Sequence, residues 1–380
     1  MTKRTHLAGF SALLATTFLY RATTNMLQTS VPLFAKYYLD ASELVVSYIT
    51  VASYVASFFA VLYMGLVLRR VKRTITFGLG LMSATIPLFA LTKNVFTLVA
   101  VVTAINVGAG PIQPLLLTSA VLLSDERTRF RNIALYTSAL SLSLILGPLY
   151  QASMLFVTRD NLLISMLAFT PFVVLGFLLF REVKLAESVT SGALPDMRFL
   201  KNRNFLIGIV ANETYSIPFV ALTTFGGITA KSVFGASYTQ VEALFSCFFV
   251  TSFFTRIVIS RIKIQREHLV TSSIALTLVG LFAIYLSQNL YELAAAFVLL
   301  GYPHGATYPV SASYIADSAT KESLASANAL SSFLFGVTTV LSVPLVGLAE
   351  EFLGLKQGFL LLEAPVVAMG ITFFVLKRMM

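Results

Sequence analysis

Long apolar stretches separated by short polar connections run through the whole chain. A membrane-spanning helix needs about 20 apolar residues, because the hydrocarbon core is about 30 Å thick. Stretches without Asp, Glu, Lys or Arg cover residues 44–68, 74–92, 94–124, 132–158, 161–180, 269–290, 293–316 and 323–349. Apolar stretches with an internal charge cover residues 8–35, 204–230, 238–260 and 357–376. The pattern predicts an all-α membrane protein with twelve transmembrane helices, called spans 1–12 in chain order, since backbone exposed to lipid must satisfy its own hydrogen bonds.

The amino-acid composition is also that of a membrane protein, and it excludes some classes of function. The 380 residues are 57% hydrophobic and 12% charged, whereas about 25% of residues are charged in a soluble domain. An ordinary soluble enzyme is therefore excluded. One cysteine, Cys247, excludes an internal disulfide framework and a cysteine-based metal site.

The net charge of +10 is explained by topology. With the N-terminus in the cytoplasm, 21 Lys and Arg residues fall in cytoplasmic segments and five in external ones, and Arg21 lies inside the first span. Cytoplasmic loops carry such an excess. We therefore expect a multi-pass protein of the cytoplasmic membrane with both termini cytoplasmic and no nucleic-acid partner.

The two halves of the chain repeat each other at a nearly constant offset. Gly110 matches Gly305 and Pro114 matches Pro309, both at 195 residues. The longest hydrophilic connection lies between the halves. These features predict an N-terminal six-helix bundle (1–181), a cytoplasmic linker (182–203) and a C-terminal six-helix bundle (204–380). Six spans are an even number, so the two pseudo-symmetric bundles share one orientation.

Polar residues inside the spans of the first half are candidates for solute binding. Arg21 lies near the middle of span 1, and Asn25 and Gln28 extend a polar stripe on the same helix face. A charge in this position is costly. It indicates either an anionic solute group or a coupling carboxylate as its partner, or else a fixed structural ion pair. Similar stripes in spans 2, 4 and 5 include Tyr54, Asn106, Gln113 and Tyr136.

The second half of the chain also carries polar candidate residues inside its spans. Glu213 lies in span 7 beside Tyr215, and its carboxyl is either a proton carrier or a satisfied partner of Arg21 or of a backbone group. His304 and Tyr308 share a face of span 10, and Asn328 lies in span 11. Spans 4 and 10 are both interrupted by Gly and Pro, and paired interruptions indicate a central binding site.

The loop after span 2 connects these features to a known family. Gly65, Arg70 and Arg73 fit the family's loop pattern, while Arg69 replaces its acid and Lys72 one of its glycines. Together with twelve spans and the 6+6 repeat, the chain resembles the major facilitator superfamily. The resemblance implies a gating loop at Gly65, Arg69, Arg70 and Arg73. It also implies alternating access around a site lined by spans 1, 4, 7 and 10.

These observations predict a monomeric secondary active transporter of a small organic solute, working by efflux or uptake. Arg21 suggests anionic or zwitterionic cargo, and Glu213 suggests proton coupling. A phosphate-binding loop, a catalytic constellation and metal-ligand spacing are missing from the sequence, so we expect no enzyme activity, cofactor or metal. A non-transporting membrane sensor or scaffold and a multidrug efflux protein remain the alternatives.

Overall fold

The computed structural model describes residues 3–67, 70–124, 129–185, 195–262, 264–320 and 323–379. For residues 3–7, 63–67, 129, 130, 134 and 325 it describes the backbone alone. The chain divides into two compact units. Unit 1 comprises Met1–Ala41 and Ala52–Gly192, and unit 2 comprises Ser42–Val51 and Ala193–Met380.

Unit 1 is built from helices. In chain order they are α1 (Lys3–Tyr38), α2 (Glu43–Val67), α3 (Val71–Thr85), a 3₁₀-helix (Ile86–Leu91), α4 (Val95–Ala109), α5 (Ile112–Leu122), α6 (Arg129–Val157), α7 (Leu162–Leu167) and α8 (Thr170–Glu182). Helix α1 packs against α6 and α8, and α3 packs against α4 and α8. Small residues allow the close crossings: a Cβ at Gly147 of α6 would lie 3.2 Å from the Ala22 Cα of α1.

Unit 2 is also helical. Its elements are a 3₁₀-helix (Met197–Lys201), α9 (Arg203–Phe234), α10 (Tyr238–Arg261), α11 (Arg266–Leu286), α12 (Leu290–Asp317), α13 (Leu324–Leu353), α14 (Leu355–Leu361) and α15 (Glu363–Arg378). Helix α12 packs against α9, α10 and α11. The first residues of α2 also belong to this unit.

The helices give the twelve crossings that the sequence predicts. Ten segments of the described residues are long and apolar enough to span a bilayer. Helices α1 and α12 add two more; they are 36 and 28 residues long and carry more polar side chains. Span 4 is broken into α4 and α5 at Gly110 and Pro111, as predicted. Span 10 remains one helix through Pro303 and Pro309, because a transmembrane helix tolerates proline where neighbouring groups satisfy the freed backbone.

Helix starts repeat between the units. The Asn94 side chain accepts a hydrogen bond from the Thr97 N–H at the start of α4, at 2.9 Å. The Asn289 side chain accepts one from the Glu292 N–H at the start of α12, at 3.0 Å. Asn is a preferred N-cap because its side-chain oxygen satisfies a free N–H of the first turn. Asn94 and Asn289 are also 195 residues apart, so the repeat includes the start of this helix.

The turns after α1 and α9 repeat as well. Asp40 and Gly235 both have left-handed backbone, with φ of 49° and 66°. The next residue in each turn donates back to the preceding helix, Ala41 N–H to the Ala35 carbonyl and Ala236 N–H to the Ala230 carbonyl, both at 3.1 Å. Repetition at this detail supports a common origin for the local structure of the two halves.

The end of the linker is ordered by one ion pair. The Arg198 guanidinium donates to the Asp196 carboxylate at 3.0 Å, and the Asp196 side chain also accepts from the Arg198 N–H at 3.0 Å. These bonds hold the pKa of Asp196 below its usual value. Linker residues 186–194 lie outside the described residues.

Candidate functional site

In unit 1, the polar face of α1 presents a cation, Arg21. Arg21 is half-buried. The groups that act on its guanidinium electrostatically are the hydroxyls of Tyr20, Tyr54 and Tyr136. Among the described residues, no carboxylate forms an ion pair with it. Within this unit, the guanidinium therefore lies near neutral tyrosine hydroxyls, and no hydrogen bond joins its N–H groups to the described residues.

The same face continues with amide groups that have unused hydrogen-bonding capacity. Asn25 is 1% exposed, and neither its Nδ2 nor its Oδ1 has a partner among the described residues. Gln28 is hydrogen-bonded to Tyr54, but its buried Oε1 has no partner there either. Leaving a buried polar group unpaired costs about 1–3 kcal/mol. Such groups are retained where a ligand or ordered water completes them.

Two tyrosines connect this face to the interruption in span 4. The Tyr20 hydroxyl donates to the carbonyl of Ala109, the last residue of α4, at 2.9 Å. The Tyr136 hydroxyl of α6 donates to the Gln113 carbonyl of α5 at 3.1 Å. The last carbonyls of a helix have no intrahelical donor, so the Tyr20 hydroxyl satisfies one of them at the end of α4. The Tyr136 hydroxyl instead ties α6 to the first turn of α5. The Gln113 side chain itself is exposed.

Asn106 is a packing residue in this arrangement. Its Oδ1 accepts from the Ser57 hydroxyl of α2 at 3.1 Å, and its Nδ2 donates to the Val102 carbonyl at 2.9 Å. Both ends of the amide are therefore used, unlike those of Asn25. The polar stripe of span 4 holds α2 and α4 together.

In unit 2, Glu213 is buried and bonded within its own helix. The residue is 6% exposed. The Ser216 hydroxyl donates to its Oε2 at 2.6 Å, and the Asn212 side chain forms a second hydrogen bond. No cation of the described residues acts on this carboxyl. Its charge therefore depends on whether water reaches it.

His304 lies against a cluster of aromatic rings. Its ring stacks on Phe219 with centroids 4.3 Å apart, and the Phe248 centroid lies 5.2 Å away. The Phe249 and Tyr215 rings are 5.8 and 5.9 Å away. The Tyr215 hydroxyl donates to the Leu300 carbonyl of α12 at 2.9 Å. We call Tyr215, Phe219, Phe248, Phe249 and His304 the aromatic cluster.

The remaining predicted residues have exposed side chains or belong to the predicted gating loop. Tyr308 is 68% exposed, and the Asn328 side chain is also exposed. In the predicted gating loop, Gly65 belongs to α2, Arg70 immediately precedes α3 and Arg73 is exposed on α3. Arg69 lies outside the described residues.

Two tyrosines near Arg21 were not placed beside it by the sequence. The sequence gives Tyr54 as part of a polar stripe in span 2 that lines a cavity or packs helices, and its hydrogen bond with Gln28 brings it to the α1 face. Tyr20 had a signal in the repeat, because it stands 195 residues before Tyr215. Neither signal shows which neighbour the hydroxyl meets, since that depends on helix packing.

Comparisons with known proteins identify the fold. A family model described as "Major Facilitator Superfamily" matches residues 13–232 and 205–379. A search of the curated proteins finds no match. A bacterial homologue of the human lysosomal transporter Spinster, in an inward-facing and occupied conformation, has a TM-score of 0.78 at 12% identity, covering 100% of this chain and 98% of that one.

Two further solved structures show the same architecture. The nucleoside transporter NupG has a TM-score of 0.75 at 13% identity, with 97% and 99% of the two chains covered. A POT family transporter in complex with 5-aminolevulinic acid has a TM-score of 0.79 at 12% identity, with 97% and 95% covered. At such low identity these likenesses show the fold alone.

Proposed function

Because the chain belongs to the Major Facilitator Superfamily, we propose that it is a secondary active transporter that moves a small organic solute across the cytoplasmic membrane by alternating access. The moving parts are the bundles of residues 1–181 and 204–380, joined by the linker 182–203. Lys and Arg placement supports cytoplasmic termini. Arg70 and Arg73 act in the gating loop after span 2.

The solute carries an anionic group that binds Arg21. The observation that supports this is the half-buried guanidinium surrounded by tyrosine hydroxyls, with no carboxylate partner among the described residues. A guanidinium binds a carboxylate or phosphate through two parallel N–H donors. Asn25 and Gln28 offer donors and acceptors to polar groups next to the anion. A free cation flanked by unused amides favours an anionic or zwitterionic cargo.

Thermal unfolding of the purified protein tests this specificity. Small organic acids are compared with their own neutral amides, so that size and shape stay matched while the charge is removed. A ligand at about 100 times its Kd stabilises the folded state by about 2.7 kcal/mol. We expect at least one acid, and not its amide, to raise the unfolding midpoint. Stabilisation by amides and acids alike would reject the anionic assignment.

The same screen needs a control for nonspecific charge effects. Arg21→Gln removes the proposed anchor, and Arg159→Gln removes an exposed cation between α6 and α7. We expect acid-dependent stabilisation in Arg159→Gln and none in Arg21→Gln. If the acid stabilised the two variants equally, the anionic group would bind at a site other than Arg21.

Glu213 is the proposed proton carrier. Its carboxyl is buried without a cation that acts on it among the described residues, and burying an unpaired carboxylate is costly. A carboxyl in this position holds its proton until water or cargo reaches it. Uptake into proteoliposomes with and without a pH gradient tests the role. Glu213→Gln is expected to abolish the dependence on the gradient, and unchanged dependence would reject proton coupling through this residue.

A multidrug efflux protein is the second candidate, and the aromatic cluster favours it. Stacked aromatic rings suit flat hydrophobic compounds, including cations. The two candidates predict different ligands. Stabilisation by lipophilic cations, retained in Arg21→Gln and lost in Phe219→Ala, would favour drug efflux over transport of an organic anion.

A further inference from the structure

Helix α13 contains a buried carboxyl that no described residue pairs with, that of Glu350. Glu350 is 3% exposed, and neither Oε1 nor Oε2 has a hydrogen-bond partner among the described residues. Its side chain lies over Gly358 of α14, where an added Cβ would collide with the Glu350 Cγ. A glycine at this position therefore makes the room that the carboxyl occupies. The function proposed above gives Glu350 no role.

The first turns of α2 dock beside this carboxyl. Residues Ser42–Val51 belong to unit 2. The Leu44 N–H of α2 donates to the Glu351 carboxylate of α13 at 3.1 Å. An added Cβ at Gly347 would lie 2.8 Å from the Ser47 Cβ and 2.9 Å from the Glu43 carbonyl oxygen. Hence α2 and α13 touch at backbone distance, one turn away from Glu350.

The charged groups around Glu350 do not neutralise it. On α2, the Glu43 carboxylate is the charged group that acts on it electrostatically. On α14, the Lys356 Nζ donates instead to the Ser287 carbonyl at 2.6 Å. On α9, the Lys231 Nζ lies 4.1 Å from the Tyr238 ring centroid. Glu351, on α13 itself, accepts from α2.

A second anion next to a buried, unpaired carboxylate is unfavourable, because desolvation and repulsion act in the same direction. Glu350 is therefore more favourable as the neutral acid while the first turns of α2 are packed against α13. No three His, Cys, Asp or Glu side chains of the described residues come together as metal ligands. A proton satisfies this carboxyl without any further ligand.

We propose that Glu350 is a proton-binding site: its protonation holds the first turns of α2 against α13, and its ionisation releases them. Separation lets water reach the carboxyl, so ionisation and opening occur together. This assigns proton binding to a residue other than Glu213. It depends neither on the identity of the solute nor on the role of Arg21.

Thiol labelling of Ser47 measures the docking directly. Ser47 is fully buried beside Gly347, so Ser47→Cys in a Cys247→Ser background reacts with an impermeant maleimide only after α2 moves away. Lys93→Cys, in an exposed connection before α4, corrects for the intrinsic pH dependence of thiol reactivity. The ratio of the two rates is measured on purified full-length protein from about pH 5 to about pH 9, a range that covers shifted carboxyl pKa values.

We expect the ratio to rise with pH by up to about tenfold per pH unit, the limit for one linked proton. In Glu350→Gln, which imitates the protonated acid, the ratio is expected to stay low and flat. In Glu43→Gln the ratio is expected to rise less and to level off at lower pH, because ionised Glu350 is less unfavourable in the docked state once the repelling carboxylate is gone. A ratio independent of pH in the parent would overturn the proposal, as would a pH dependence that survives in Glu350→Gln.

Glu351→Gln is the matched control. It weakens the hydrogen bond from Leu44 without touching Glu350, so labelling is expected to be faster at every pH with the pH dependence retained. Loss of the pH dependence in Glu351→Gln would contradict the assignment to Glu350. The Glu43→Gln shift keeps the test decisive if Glu350→Gln fails to fold.

Discussion

Tyr20 and Tyr215 stand 195 residues apart and form the same hydrogen bond, each in its own unit. The Tyr20 hydroxyl donates to the Ala109 carbonyl and the Tyr215 hydroxyl to the Leu300 carbonyl, both at 2.9 Å. In each unit the bond joins the first long helix to the Gly- and Pro-containing span. Arg21 follows one of these tyrosines and Ser216, the partner of Glu213, follows the other. The candidate groups are thus positioned by a repeated structural element.

Removing either hydroxyl is expected to destabilise the protein. Tyr20→Phe and Tyr215→Phe each remove a buried hydrogen bond to a backbone carbonyl, which costs about 0.5–1.5 kcal/mol. The unfolding midpoint in detergent measures the effect. Tyr308→Phe is the control, since Tyr308 is 68% exposed and is expected to change little. Equal midpoints for all three variants would show that the two hydrogen bonds contribute nothing to stability.

Two equivalent glycines set the distance between helices. A Cβ at Gly110 would lie 2.5 Å from the Ser57 carbonyl oxygen, and a Cβ at Gly305 would lie 2.5 Å from the Ser252 carbonyl oxygen. Both pairs follow the 195-residue offset. Gly110→Ala and Gly305→Ala force backbone apart, and overpacking of this kind costs about 1–3 kcal/mol.

Gly336 provides the comparison for these two variants. Nothing lies within 4 Å of an added Cβ there, so Gly336→Ala is expected to gain about 0.5–1 kcal/mol from helix propensity. The unfolding midpoint is therefore expected to fall in Gly110→Ala and Gly305→Ala and to rise in Gly336→Ala. A loss in Gly336→Ala as large as in the other two would mean that glycine flexibility, and not close packing, matters.

Substitution by leucine is expected to change stability in opposite directions at Asn25 and Asn106. Asn25→Leu removes an amide whose two polar atoms are unpaired, so it is expected to stabilise the unloaded protein by about 1–3 kcal/mol and to weaken solute binding. Asn106→Leu removes two hydrogen bonds and is expected to destabilise. Unfolding midpoints with and without a stabilising acid distinguish the two effects. A destabilised Asn25→Leu would show that its amide is satisfied by water or lipid.

The fold was predictable because the bilayer imposes a simple rule. The length and apolar content of each span are read directly from the sequence. The repeat is visible because equivalent residues, such as the N-caps Asn94 and Asn289, stand 195 residues apart. The continuity of α12 was not predictable. The sequence shows that a proline lacks an N–H, but it does not show which neighbouring groups satisfy the backbone that this frees. The grouping of residues 42–51 with unit 2 depends on contacts far apart in the chain.

The candidate site was only partly predictable for a related reason. Arg21 and Glu213 were evident because charges are rare inside apolar spans. The bonded state of a polar side chain depends on the facing helix, so Asn25 and Asn106 look alike in sequence and differ in structure. Glu350 was missed because it lies at the end of an apolar stretch, where a carboxylate is ordinarily exposed to water.

Solute exchange in proteoliposomes tests the central claim, that Arg21 binds an anionic cargo which the protein carries across the membrane. Vesicles loaded with an unlabelled acid that stabilises the protein are given the same acid with a label outside. The parent and Arg159→Gln are expected to accumulate label, whereas Arg21→Gln loses a charge-assisted hydrogen bond of about 1.5–3 kcal/mol, or about 10- to 100-fold in affinity. Exchange by Arg21→Gln with the parent's rate and half-saturating concentration would contradict the account.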